Sequence, residues 1–328
     1  MKKNVWLYYG KKLLMLILSV FVLSVIVFYM SRLSPGDPLV SYYGDRAEKM
    51  SPAEKAKTME RLGLDEPIFV QYGIWVKNAV QGDFGISYKY KTDVSEVIEA
   101  RLGNTIWLGG VSFVCTFILA LLLGVFCALR ENSMMDRVIC KLGTVSSCIP
   151  SFWMALILIL LFSVNLGLLP SGGAYDIGKS DSLLSRISHL ILPVTSMILT
   201  HFWYYTYIIR NKLLQEIRQD YVLLAKSKGL PLSNIMWRHC LKNILPTYIT
   251  IMAISVPHII GGTYIVEMVF SYPGLGTLSF ESAKYHDYNL LMIVCLLTGI
   301  VVIFFNSIAK IFSEKVDPRI KHTEVLDV

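Results

Sequence analysis

The stretch Asp220-Tyr221-Val222-Leu223-Leu224-Ala225-Lys226-Ser227-Lys228-Gly229 lies between two long apolar runs, residues 188–210 and 244–267, and is followed by Trp237-Arg238-His239, Lys242-Asn243 and Leu245-Pro246. A hydrocarbon layer about 30 Å thick takes about 20 consecutive apolar residues to cross as a helix. Both flanking runs meet that length, so the basic stretch is an aqueous connection between two spans. Applied outward along the chain, the same criterion gives six spans, at 12–32, 104–129, 138–168, 188–210, 244–267 and 289–312. The expected fold is all-α: a polytopic membrane protein of six transmembrane helices, with an extracytoplasmic helical segment after the first.

Composition agrees with a membrane protein. Of 328 residues, 54% are hydrophobic and 17% charged, with mean hydropathy +0.53, whereas soluble domains average about 45–50% and about 25%. The net charge of +7 and pI near 9.0 raise nucleic acid as a partner. The basic residues, however, cluster beside the apolar runs, as orientation signals do, and no nucleic-acid partner is expected. Cys115, Cys127, Cys148 and Cys295 sit inside apolar runs, Cys140 and Cys240 near their ends, and no C-x-x-C occurs, which argues against disulfides and zinc. The N-terminal apolar run, Leu13 to Met30 after Lys11-Lys12, is longer than a signal-peptide core and is read as a retained first span.

Lysine and arginine near the span ends set the orientation. The N-terminal lysines, Arg130, Arg137 and Lys141, the run from Arg210 to Lys242, and Lys315, Arg319 and Lys321 all fall on one side, which the positive-inside rule makes the cytoplasm. Both termini are therefore expected in the cytoplasm of a cell bounded by this plasma membrane. On the other side, Ser51-Pro52-Ala53-Glu54 has an N-cap, a proline at N1 and a glutamate at N3, and its helix-forming run ends at Gly63. Pro67 to Val80 repeats Ile68, Tyr72, Trp75, Val76 and Ala79 at helical intervals. Pro150 is expected to kink the long third span, and Pro193 and Pro257 to bend the fourth and fifth.

Within the connection, Leu213, Leu214, Ile217, Tyr221, Leu224 and Ala225 recur at three- and four-residue steps, an apolar stripe on one helix. Gly229 supplies its C-cap and Pro231 opens a second short helix. Two helices at a sharp turn make a knob for a groove on a partner. The same pattern also fits an interfacial helix held on lipid headgroups by its lysines.

Gly173-Ala174-Tyr175-Asp176-Ile177-Gly178-Lys179-Ser180 is a literal G-x-x-x-x-G-K-S, yet a phosphate loop works only between a buried strand and a helix N-terminus, and that context is missing. His201, Tyr204 and Tyr205 either belong to an aromatic belt or line the pathway. His258 and Glu267 flank Gly261-Gly262; the glycines favour close helix approach, Glu267 near the span end is read as hydrated, and nine residues of separation argue against a metal pair. Pro273-Gly274-Leu275-Gly276 reads as a turn able to re-enter between helices. No catalytic constellation is present.

Taken together, Gly36-Asp37-Pro38, Leu62-Gly63-Leu64-Asp65, Gln71-Tyr72, Gly82-Asp83-Phe84-Gly85, Ile149-Pro150-Ser151-Phe152-Trp153, Leu169-Pro170, Tyr272-Pro273-Gly274-Leu275-Gly276, Asp287-Tyr288 and Asp317-Pro318-Arg319 resemble the inner-membrane permease subunits of peptide and nickel ABC importers, over nearly the whole length. The resemblance implies the type I ABC importer permease fold, with residues 1–103 as first span and outer cap, 104–312 as permease domain and 313–328 as a cytoplasmic tail. It implies a second similar permease, two cytoplasmic ATPase subunits that carry ATP and Mg²⁺, an extracytoplasmic binding protein, and no cofactor, metal or ATPase site on this chain. It makes residues 211–243 the coupling segment, with Leu223, Leu224 and Ala225 at the positions of the family's E-A-A motif and Gly229 as its glycine. The first two positions depart from that motif. It leaves His201, Tyr204, Tyr205 and His258 as candidate pathway residues, and oligo- or dipeptides, or alternatively nickel or a metal chelate, as substrate.

Overall fold

A computed structural model describes residues 2–33, 39, 43, 45–146, 148–180 and 182–316. Gly36-Asp37-Pro38 and Asp317-Pro318-Arg319 lie outside the described residues. The helices are α1 (Lys2–Leu33), α2 (Asp45–Lys49), α3 (Pro52–Leu62), α4 (Ile68–Val80), α5 (Val94–Leu129), α6 (Met134–Ser146), α7 (Ser151–Leu158, continued as π-helix to Asn165), α8 (Leu183–Ile217), α9 (Asp220–Ser227), α10 (Leu232–Ile235, then π-helical Met236–Cys240), α11 (Leu241–Val269), α12 (Leu275–Lys284) and α13 (Tyr288–Val316). Among the described residues there is no strand, only an isolated bridge between Ile86 and Asp93. Five helices are long and apolar enough to cross a membrane, or six if the bent pair α6–α7 counts as one span. The all-α, multi-span expectation holds.

The third span corrects the expectation of a single kinked helix over 138–168. Its two halves, α6 and α7, meet at 111°. Pro150 starts α7 as its extended N-cap residue (φ −61°, ψ 138°), because the residue before the ring is driven out of helical geometry and the ring has no N–H to offer.

The chain divides into two compact units. The first comprises Met1–Thr105 and Pro273–Phe304. Its core gathers Phe28, Val94, Leu278, Leu290, Ile293 and Val294. Phe28 packs edge-on to Tyr72 at 5.4 Å, and the Tyr72 hydroxyl meets Ser24 Oγ at 2.7 Å. The capping box of α3 is present as read: Glu54 N–H donates to Ser51 Oγ, Ser51 N–H donates to Glu54 Oε2, and Gly63 ends the helix at φ +63°. A clasp ties the loop before α5 to the α12–α13 corner. Ser87 Oγ and Lys89 N–H both donate to the buried Asp287 Oδ2, at 2.5 and 3.1 Å, and Asp287 Oδ1 caps α13 at Leu290 N–H. Lys89 Nζ and the Tyr90 hydroxyl converge on Glu281 Oε2 at 2.6 and 2.5 Å. Burial, then the Glu281 carboxylate, pushes the Tyr90 hydroxyl up to about 12, so it stays a donor. Gly274 becomes the N-cap of α12, and Leu275 N–H donates to Thr105 Oγ1 at 2.8 Å, so the Pro273–Gly276 turn starts a short buried-faced helix.

The second unit comprises Ile106–Tyr272 and Phe305–Val328. Here α6, α7 and α11 all pack on α8. Small residues set the closest approaches: a Cβ on Gly143 would lie 3.0 Å from Trp203 O, and one on Gly124 2.9 Å from Ile209 Cγ2. The Tyr248 hydroxyl donates to Phe117 O at 2.9 Å, and the Phe117 ring packs tilted against Tyr205 with centroids 4.7 Å apart. Glu267 is fully buried, not hydrated as its position near a span end implied. The reason is local: Ser271 takes φ +47°, Ser271 N–H returns to Met268 O and Tyr272 N–H to Glu267 O, folding the chain back over the helix end. The G-x-x-x-x-G-K-S stretch is an irregular loop before α8, with Lys179 Nζ 3.4 Å from Asp176 Oδ2 and no strand before it.

One buried ion pair joins α6 to α8. Arg210 Nε and Nη2 reach Asp136 Oδ1 and Oδ2, each at 2.6 Å, and Asn132 N–H also donates to Asp136 Oδ2. Both side chains are largely withdrawn from solvent, at 13% and 2% exposure. Removing one partner strands the other charge. Asp136→Ala should therefore destabilise the purified protein by about 3–5 kcal/mol, read as a lowered melting temperature in detergent, and Asp136→Ala with Arg210→Met should recover part of the loss.

Candidate functional site

The connection between the apolar runs is built from the end of α8, all of α9 and the start of the α10–α11 helix. Helix α8 ends at Ile217, Arg218 and Gln219 leave helical geometry, and α9 restarts at Asp220 with Gln219 extended (φ −76°, ψ 152°). The expected single stripe needed an uninterrupted helix, and this break resets its phase. Leu213 and Leu214 are buried, Ile217, Tyr221 and Ala225 are half-buried, and Val222 is completely buried. Leu224 therefore leaves the buried stripe: it is 58% exposed and Leu223 is 73% exposed.

Helix α9 ends as the glycine predicts. Gly229 takes φ +80°, its N–H donates to Lys226 O at 2.9 Å, and Leu230 N–H reaches back to Ala225 O at 3.2 Å. These two bonds satisfy carbonyls that would otherwise be orphaned at the helix end. Pro231 then opens α10 in extended geometry (φ −66°, ψ 145°). The second helix is not short, as expected, but runs on through the π-helical turn into α11 as one 38-residue apolar helix, Leu232–Val269. Proline at its start costs nothing, no glycine or proline follows until Pro246, and Pro246 and Pro257 lie inside the helix without ending it.

Polar contacts lock these pieces together. The Tyr221 hydroxyl donates to Glu216 Oε2 at 2.6 Å, Asn243 Nδ2 donates to the same oxygen at 3.3 Å, and Cys240 Sγ lies 3.6 Å from the hydroxyl. Burial, and then the Glu216 carboxylate, hold the Tyr221 hydroxyl far above its ordinary range, so it remains protonated. Ile235, Met236 and Cys240 are fully buried beneath α9 in the same apolar cluster as Val222. The result is a fixed turn that presents Leu223 and Leu224 to solvent beside exposed Lys226 and Lys228.

The remaining sequence-selected residues separate. His201 is half-buried, its Nδ1 2.8 Å from Met197 O, and a Cβ on Gly262 would lie 3.3 Å from its ring, so the Gly262 gap admits the imidazole. Tyr205 is buried against Phe117, whereas Tyr204 is 47% exposed and His258 is exposed. Among the described residues no group of three or more His, Cys, Asp or Glu is placed to hold a metal ion. Sequence reading missed the Glu216–Tyr221–Asn243 junction and the Arg210–Asp136 pair. Glu216 and Tyr221 lie on opposite sides of the break at Arg218–Gln219, across which they meet.

The described residues make an all-α protein with five, or up to six, helices long and apolar enough to cross a membrane, two of them joined by the Gly229 turn. The comparisons place it: the family described as the binding-protein-dependent transport system inner membrane component matches residues 120–322, and that family's N-terminal part matches residues 7–109. The chain belongs to this family of ABC importer permeases, whose members are transport subunits and not enzymes. Its relatives include the oligopeptide transport system permease protein AppB of Bacillus subtilis, 37% identical over 92% of this chain and 94% of the relative. OppB of Haemophilus influenzae, an oligopeptide transport system permease, is 32% identical over 95% and 98%. CntB of Staphylococcus aureus, a metal-staphylopine import system permease, is 30% identical over 95% and 97%. Among solved structures, an inward-facing MetNI methionine ABC transporter is similar in fold, with TM-score 0.55 at 17% identity over 68% of this chain and 97% of that one.

The geometry at Gly229 gives a sharp test. Nothing lies within 4 Å of an added Cβ, so substitution there acts through the positive φ alone. Asparagine tolerates that conformation, whereas other L-residues pay about 1–2 kcal/mol and β-branched ones more. Gly229→Val should insert normally but lose substrate uptake, and Gly229→Asn should retain most of it.

Proposed function

We propose that this chain is one of two similar permeases in an ATP-driven importer of peptides, and that residues 211–243 couple it to a cytoplasmic ATPase. The observation that carries the coupling assignment is the pair Leu223 and Leu224, exposed on helix α9 while Val222 beside them is buried and Tyr221 is hydrogen-bonded to Glu216. A large apolar pair held rigidly in water is an unfilled interface, and Ala225 and Gly229 shape its flank and its turn. The basic residues around it face the cytoplasm by the charge rule, with both termini on that side. One of two ATPase subunits, with its ATP and Mg²⁺, docks there and the other on the second permease, this chain holding no cofactor of its own. An extracytoplasmic binding protein delivers substrate on the opposite side, and nucleotide binding biases inward-open against outward-open states. A swing from 1:99 to 99:1 takes about 5.5 kcal/mol of differential binding.

Peptides as substrate rest on the relatives named for oligopeptide transport, which align over nearly all of the chain. CntB supports a second reading, a metal delivered as its chelate. His201, Tyr204, Tyr205 and His258 remain the proposed pathway residues; exposed Tyr204 and His258 are the two available to a second permease or to substrate.

Burying a leucine contributes about 1.5–3 kcal/mol. Leu223→Asp with Leu224→Asp should reduce co-purification of the ATPase subunits at least about tenfold and abolish uptake, with normal membrane insertion. In the reconstituted complex, short peptides delivered by the binding protein should stimulate ATP hydrolysis, whereas nickel or a metal chelate should not. Stimulation by the metal species alone would establish the second reading.

A further inference from the structure

Helix α9 is eight residues long and is flanked by non-helical backbone on both sides, at Arg218–Gln219 and from Lys228 to Pro231. A short helix between two such joints pivots unless something besides the chain fixes it. Val222 seats it in the apolar cluster, but apolar contact is non-directional and permits rotation. Arg218 reaches Glu131 Oε1 at 2.8 Å on the exposed side of the joint and the Tyr221 hydroxyl lies 3.6 Å from Cys240 Sγ, but the two contacts that tie α8, α9 and α11 together converge on one atom. Glu216 Oε2, at the end of α8, accepts from Tyr221 on α9 at 2.6 Å and from Asn243 at the start of α11 at 3.3 Å. We infer that Glu216 is a positioning residue, the pin that makes the end of α8, helix α9 and the start of α11 one rigid body, so that a displacement at Leu223 and Leu224 reaches two spanning helices at once.

This inference rests on the docking reading above and deepens it. An O–H to carboxylate bond of this length is charge-assisted and among the stronger ones available to a protein. It spans the Arg218–Gln219 joint, where slack would otherwise appear. It also closes over Cys240, which is fully buried with its Sγ 3.6 Å from the Tyr221 hydroxyl. Cys240 therefore reports whether α9 separates from the α10–α11 helix during the cycle.

The experiment uses the complete complex, with permeases, ATPases and binding protein in liposomes, and a chain whose Cys115, Cys127, Cys140, Cys148 and Cys295 are replaced. Maleimide labelling of Cys240 is followed with and without ATP, alongside substrate imported per ATP hydrolysed. With Glu216 and Tyr221 intact, Cys240 should stay unlabelled in both conditions. Tyr221→Phe keeps the ring packing and removes only the donor. It should assemble with the ATPases and hydrolyse ATP, yet import about tenfold less substrate per ATP, as expected for loss of a hydrogen bond to a charged group, and label Cys240 during turnover. Glu216→Ala should behave alike, and Glu216→Gln, which keeps an acceptor, should recover an intermediate ratio. A Tyr221→Phe complex with the wild-type ratio, one that fails to assemble, or labelling of Cys240 during turnover in the intact chain overturns the pin. If Leu223→Asp with Leu224→Asp leaves ATPase assembly intact, the docking reading itself fails, whatever Tyr221→Phe does.

Discussion

In a hydrocarbon solvent every backbone N–H and C=O must find a partner inside the protein, so a spanning chain stays helical wherever it meets lipid. The rest of this structure depends on how that constraint is met where helices stop. Helix α9 ends because Gly229 at positive φ lets two N–H groups return to Lys226 and Ala225. Helix α11 ends the same way with Ser271, and α12 with His286 at φ +56°, whose neighbour Asp287 N–H returns to Ser282 O. At Pro150 the missing N–H is placed where a helix start has no use for it. Each break thus carries its own replacement bonds, which fix the turn.

A fixed turn can transmit force. The Arg210–Asp136 pair holds α8 to α6, and the Glu216 carboxylate holds α8 to α9 and α11. Between them the connection buries Val222 in the apolar cluster, ties Glu216 to Tyr221 and Asn243, and leaves Leu223 and Leu224 exposed. Two adjacent exposed leucines on a fixed helix are available to a partner surface. In the proposed orientation the partner is the ATPase, and the leucines at the family's E-A-A positions make the contact by burial where a glutamate would make it by charge.

Much of this was legible in the sequence. The spans followed from apolar length, the α3 cap from Ser51, Pro52 and Glu54, and the Gly229 turn from glycine's tolerance of positive φ. What escaped has a common cause: periodicity assumes an unbroken helix. It joined Leu213 to Ala225 in a single stripe, whereas Arg218 and Gln219 carry no strong stop signal, so the shift that buries Val222 and exposes Leu224 was invisible. Pro150 was visible, but whether it kinks or breaks a helix depends on packing of α6 against α8, through Gly143 and Trp203. Glu267 looked hydrated because burial at a helix end depends on where the following turn folds, and Ser271 is not a residue that announces positive φ. The pairing of Asp136 with Arg210 spans 74 positions. No local pattern encodes it.

The central claim is that Leu223 and Leu224 sit in a cleft of the ATPase subunit. The most direct measurement places a photoreactive residue at position 224 and irradiates the assembled complex in membranes. The account predicts an adduct with the ATPase subunit, absent when the same residue replaces exposed Tyr204 on α8. Adducts at position 224 only with lipid, or with the binding protein, would contradict it.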